Sequence, residues 1–146
     1  LNRLSDSLQE GLNQLSEWTE LNHMSLNPLK TKCMIITTRQ KRQNITSTFN
    51  DLIVNDEIVK QVDHHKVLGV TIDNNLSWSH HIEQVSKAMS KKVYLLSRIK
   101  HFLNLEARKL FFNAHIQSVI DYASTLWDSA SENSLKPIIR LHKRAL

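Results

Sequence analysis

Four residues combine types and spacings that suit binding to a polyanion: Lys87, Lys91, Tyr94 and Arg98, separated by four, three and four positions. On a helix turning about 100° per residue they share one stripe, opposite an apolar face of Ile82, Val85, Met89, Val93, Leu96 and Ile99. Three cations and an aromatic ring on one stripe suit a phosphate backbone, and they also suit a solvated helix face. Lys30 stands apart. It follows Asn27-Pro28-Leu29 and leads into the apolar run from Cys33 to Ile36, where it is either a working cation at the mouth of a strand or a turn residue. Other chemistry has little support. The pairs His64-His65 and His80-His81 point their rings in different directions, which makes poor chelators, and they read as surface histidines. Cys33, the only cysteine, precedes Met34-Ile35-Ile36 and reads as core packing rather than as a nucleophile. Asp51, Asp56, Asp63 and Asp73 read as turn and cap residues, and Trp18, Trp78 and Trp127 as core anchors. There is no glycine-rich phosphate loop and no carboxylate pair of the kind that holds two metals, so unaided catalysis has no visible machinery.

The bulk properties frame these residues. The chain of 146 residues carries 19 Lys and Arg against 14 Asp and Glu, a net charge of +5 and a pI near 9.5, which favours a polyanionic partner without demanding one. Placement says more than the total. Between Glu20 and Asp51 there are bases (Lys30, Lys32, Arg39, Lys41, Arg42) and no acid, and from Lys87 to Lys109 seven bases accompany the single acid Glu106. No run approaches the ~18 apolar residues of a membrane span, and the N-terminal residues lack the order of a signal peptide. One cysteine leaves no disulfide framework, in keeping with a reducing, intracellular setting. The first residue is not Met and both ends fall inside amphipathic patterns, which reads as a piece of a longer protein. The glycosylation-like triplets Asn44-Ile45-Thr46 and Asn75-Leu76-Ser77 are then chance matches.

The elements that must position these residues are legible in outline. Leu1, Leu4, Leu8, Leu12 and Leu15 predict an amphipathic helix ending near Asn22 or His23, and Pro28 prevents its continuation. Residues 25–73 read as a small antiparallel sheet beside that helix. Its strands begin at Lys32, flank a turn at Asn55-Asp56, and run from Val67 to Ile72 with Gly69 inside as a bulge or a point of close approach. Residues 39–48 read as an exposed loop. Ser79 is the expected cap of the helix that carries the cationic stripe, a second helix is expected over Leu105 to Trp127, and a third begins near Leu135 with Pro137 in its first turn. The fold class is α+β: a helix with a small antiparallel sheet, then an all-α bundle.

The order of landmarks resembles a known family. Trp18, Asn22 and Leu26-Asn27 with Lys30-Thr31 come first; Lys66-Val67-Leu68-Gly69-Val70-Thr71-Ile72-Asp73 and Leu76-Ser77-Trp78 follow. His81-Ile82, Leu96-Ser97-Arg98, Tyr122-Ala123-Ser124 with Trp127, and a helix bearing Arg140, His142 and Arg144 complete the series. This is similar to the C-terminal part of the reverse transcriptase of non-LTR retrotransposons of the jockey kind. The resemblance implies that residues 1–75 are the end of the polymerase palm and 76–146 a thumb-like helical region. It implies that Lys30 sits in motif D, near the incoming nucleotide's phosphates as a general acid or charge stabiliser, and that Leu68 and Gly69 sit in the primer grip. Lys87, Lys91, Tyr94 and Arg98 then contact nucleic acid backbone without reading bases. The implied partners are an RNA template with its DNA primer, and the remainder of palm and fingers. The Asp-Asp motif that binds Mg2+ in the family is absent from these residues, so Mg2+ is expected only for the intact polymerase and no activity is expected of this chain alone. The rival readings are a non-catalytic protein-interaction module and a nonfunctional retroelement remnant.

Overall fold

The computed structural model describes residues 2–38, 40–41 and 50–145. The chain divides into two compact units, Leu1–His65 with Asn74–Leu76, and Lys66–Asp73 with Ser77–Leu146. The α+β class read from the sequence is the class observed.

In the first unit, α1 (Asn2–Leu21) is the amphipathic helix that the leucine spacing predicts. Its Leu12 packs with Leu26 and Cys33 against a small core of Leu52, Val54 and Val59. The helix stops where His23 enters the left-handed region at φ 57°, and the amide of Met24 closes back on the Thr19 carbonyl at 2.8 Å. β1 (Lys32–Cys33) is followed by the hairpin β2 (Ile53–Val54) and β3 (Glu57–Ile58), whose turn residues Asn55 and Asp56 both have positive φ, 50° and 62°. That is the turn geometry the Asn-Asp pair favours, and it sets the register Ile53 opposite Ile58. The Gln9 side chain bonds both the amide and the carbonyl of Ile53 at 2.8 Å, tying α1 to the edge of β2. β4 (Lys60–Gln61) then pairs with β1 in parallel, Lys32 opposite Lys60. The strands therefore form two-stranded ladders, one of them parallel, rather than one antiparallel sheet. The loop read over 39–48 falls, apart from Gln40 and Lys41, outside the described residues, as do Arg39, Arg42 and the Asn44 triplet.

The run from Val67 to Ile72 is not one strand. β5 (His64–Val67) turns at Leu68 and Gly69 and pairs back as β6 (Val70–Asp73). In the second unit β6 lies against α2 (Ser79–Ile99), which presents Ile82, Val85, Met89, Val93 and Leu96 to the core, as its period predicts. Ser79 does not cap α2. Trp78 holds the cap position at φ 61°, and the Asp73 carboxylate accepts hydrogen bonds from the amides of Ser77 (3.0 Å) and Trp78 (2.8 Å) and from the Ser77 hydroxyl (3.1 Å). A 3-10 turn (Lys100–Phe102) leads to α3 (Leu105–Phe111), capped by the Asn104 side chain on the Ala107 amide at 2.8 Å.

The helix expected over Leu105 to Trp127 is interrupted. It widens into a π turn (Phe112–Gln117), continues as α4 (Ser118–Asp121), breaks at Tyr122 and Ala123, and resumes as α5 (Ser124–Trp127). α6 (Glu132–Ala145) begins earlier than predicted, so Pro137 sits in its second turn, where its missing N–H leaves one helical bond unmade. Met89 and Ile116, both 0% exposed, centre a core completed by Trp127 and Ile138. Trp127 is buried and Trp78 half-buried as expected, but Trp18 is 54% exposed on α1.

Candidate nucleic-acid interface

The charge of the molecule is segregated between its units. Residues 66–73 and 77–146 hold twelve Lys and Arg against six Asp and Glu, a net +6; the other unit holds seven against eight, a net −1. All of the excess positive charge thus lies on the helical unit.

There the stripe is solvent-facing. Lys87, Lys91, Tyr94 and Arg98 are exposed along α2, opposite the buried face. Their surroundings differ. Lys87 and Lys91 line an open groove of about 860 Å³ between α2 and α6, whose other wall brings Asn133, Ser134 and Arg140. Ser90 adds a hydroxyl on the α2 side, whereas the Ser86 hydroxyl is buried. Lys87 is paired with Glu83 at 2.6 Å, a solvated contact one helical turn long; the lysine's hydrogen bond and charge hold the Glu83 carboxyl below the usual range. Tyr94 and Arg98 lie further along the helix, outside the lining of that groove.

Leu68 and Gly69 form the tip of the β5–β6 hairpin, at φ 48° and 88°. A left-handed turn suits Gly69 and strains Leu68, yet Leu68 is 87% exposed and gains no burial in return. The turn is held from outside. The Tyr122 hydroxyl donates to the Leu68 carbonyl, and its ring lies so near Gly69 that an added Cβ would come within 3.2 Å of it. The close approach expected at Gly69 is thus made by a side chain rather than by another strand. Tyr122 is itself fixed, since its carbonyl accepts from the Trp127 indole at 3.2 Å and Ala123 turns left-handed beside it. The break between α4 and α5 therefore positions the residue that clasps the hairpin.

Lys30 closes the Pro28–Lys30 turn of the first unit, its amide donating to the carbonyl and the side-chain oxygen of Asn27 at 3.1 and 3.2 Å. Its side chain is exposed. Cys33 is half-buried against the small core, and burial pushes its thiol pKa up, away from the thiolate that a nucleophile needs.

One histidine departs from its surface reading. His81 is 4% exposed, meets Trp127 edge to face at 6.0 Å between centroids, and accepts the Thr71 amide on Nδ1 at 3.4 Å. Burial, with nearby Lys66, holds its pKa below the ordinary imidazole value. Among the described residues no group of three or more His, Cys, Asp or Glu is placed to hold a metal ion. The Mg2+ implied for the intact polymerase finds no donor set among them. No helix of the described residues is long and apolar enough to cross a membrane.

The sequence pattern does not single out Arg140 and Ser134 as facing Lys87 and Lys91, because they come from a helix some fifty positions away. Nor does it mark Tyr122 as the clasp. The signal it does carry for the basic surface is the dense run of bases from Lys87 to Lys109.

No family model matches the chain, and no solved structure matches it. Two curated proteins of Drosophila melanogaster are similar to it. One is the RNA-directed DNA polymerase from mobile element jockey, 23% identical over 145 residues and 97% of this chain. The other is a probable RNA-directed DNA polymerase from transposon BS, 23% identical over 151 aligned positions and 99% of this chain. The chain spans only 15% and 16% of their lengths. Along nearly its whole length, then, the chain is similar to one segment of the reverse transcriptases of non-LTR retrotransposons, the family its ordered landmarks resemble.

Proposed function

We propose that the chain serves as the template–primer-holding part of a non-LTR retrotransposon reverse transcriptase, supplying backbone contacts and a primer grip while the catalytic aspartates lie elsewhere in the polymerase. The observation that carries this reading is the charge segregation: the net +6 of the helical unit, with Lys87, Lys91 and Arg140 around one hydroxyl-lined groove. Cations and hydroxyls without a base-reading element suit an RNA–DNA hybrid held by its phosphates. Leu68 suits the primer grip, since a strained, exposed apolar residue clasped in place by Tyr122 presents a fixed surface. Lys30 serves, in the intact polymerase, as the cation beside the incoming nucleotide's phosphates. On α1, exposed Leu4, Leu8, Leu15 and Trp18 suit packing by the remainder of the palm.

The test is a salt titration of hybrid binding. Lys87→Ala, Lys91→Ala and Arg98→Ala together should flatten the slope of log K against log salt, by up to about 0.9 for each phosphate no longer neutralised. A triple variant that binds identically at every salt concentration leaves the stripe as solvated surface.

A further inference from the structure

A second basic cavity lies at the other end of α2, apart from the groove that holds Lys87 and Lys91. About 640 Å³ in volume, it is rimmed by Lys100, Arg108, Lys109 and Arg144 and lined by no acidic side chain. Its floor is apolar, with Val93 and Leu96 of α2, Leu105 of α3 and the Phe112 ring. The cations come from the 3-10 turn, α3 and α6, so their convergence is a property of the fold rather than of one helix face.

Two further observations bear on it. The Arg108 Nε donates to the Leu103 carbonyl at 3.0 Å, which fixes the guanidinium and leaves its two terminal nitrogens to a ligand. The π turn begins at Phe112, and both Phe112 and Asn113 line the cavity, so the wide turn shapes its wall.

We propose that this cavity takes an unpaired nucleotide of a single-stranded nucleic acid, its phosphates on the cationic rim and its base against the Phe112 and Leu105 floor. Rim and floor together match one kind of strand. A duplex keeps its bases stacked inside and offers only phosphates, for which an apolar floor has no use. A single strand offers phosphate and ring together, and proteins that hold single strands pair a cationic track with an apolar or aromatic platform. The volume lies within the range of small-ligand sites. The inference rests on the nucleic-acid reading of the helical unit and adds a place for strand beyond the paired region, distinct from the duplex-holding groove.

The experiment compares two probes on the full chain: a blunt RNA–DNA hybrid and a single-stranded oligonucleotide of mixed sequence. Arg108→Ala with Arg144→Ala, and separately Leu105→Glu, are exposed changes whose melting curves verify folding. The expected result is a drop of about tenfold or more in single-strand affinity, the scale of removing one base platform, with hybrid affinity changed less than about threefold. Lys87→Ala with Lys91→Ala should give the reverse pattern. Equal weakening on both probes, or unchanged single-strand binding by folded cavity variants, overturns this inference while leaving the hybrid reading intact. A wild-type chain that binds neither probe overturns both.

Discussion

At the scale of single residues, Gly69 and Tyr122 act as one device. Gly69→Ala places a side chain at φ 88° and against the Tyr122 ring, so the expected destabilisation is at least the roughly 1–2 kcal/mol of a left-handed non-glycine residue. Tyr122→Phe keeps the ring and removes the bond to the Leu68 carbonyl, with an expected cost of about 1 kcal/mol in chemical denaturation. His81 supplies the pH dependence. Its folded pKa lies below its ordinary value, so the unfolded chain binds the extra proton more readily. Stability should be full above about pH 6.5 and fall as the pH drops from there through the folded pKa. Thermal melts across pH 5–8 check this, and His81→Leu should remove that part of the dependence; a wild-type profile unchanged in that window contradicts it. Of these roles only the close approach at Gly69 is written in the residue's own neighbourhood. Leu68-Gly69 sits in a run that reads as continuous strand, and what converts it to a turn is a hydroxyl 54 positions away.

At the scale of elements, the start of α2 depends on the end of β6. Asp73 accepts three bonds from Ser77 and Trp78, so Asp73→Ala should cost about 1–3 kcal/mol through the amides it leaves unpaired, and Asp73→Asn less. Equal melting temperatures for wild type and Asp73→Ala would show that the cap contributes nothing. Local chemistry makes Asp73 legible as a cap or turn residue, and makes Ser79 a misleading cap, because Trp78 in a left-handed position is invisible to propensity. The apolar face of α2 is legible because one helix of 21 residues repeats its period through most of its length. So is the hairpin at Asn55-Asp56, where residue type alone selects the turn. The interrupted helix after Leu105 is not legible. Its period persists across the π turn and the break at Tyr122, and tertiary contacts decide where it bends. The parallel pairing of β1 with β4 is equally a product of topology, since two-residue strands carry almost no pattern.

At the scale of the molecule, the order of landmarks conveys what composition does not. A net charge of +5 is compatible with many partners, but a split of +6 and −1 between two units concentrates the attraction on one of them. The sequence shows the density of bases on α2; it does not show that Arg140 shares a groove with Lys87 and Lys91, or that four more cations meet around Phe112. Such convergence arises from helix packing, and single-sequence spacing cannot carry it. That this chain holds nucleic acid through its helical unit is tested most directly by amide hydrogen exchange with and without an RNA–DNA hybrid. The predicted result is new protection concentrated in Ser79–Ile99 and Glu132–Ala145, reduced at higher salt, with α1 unchanged. Protection centred on Asn2–Leu21, or none at hybrid concentrations that saturate the chain, would contradict it.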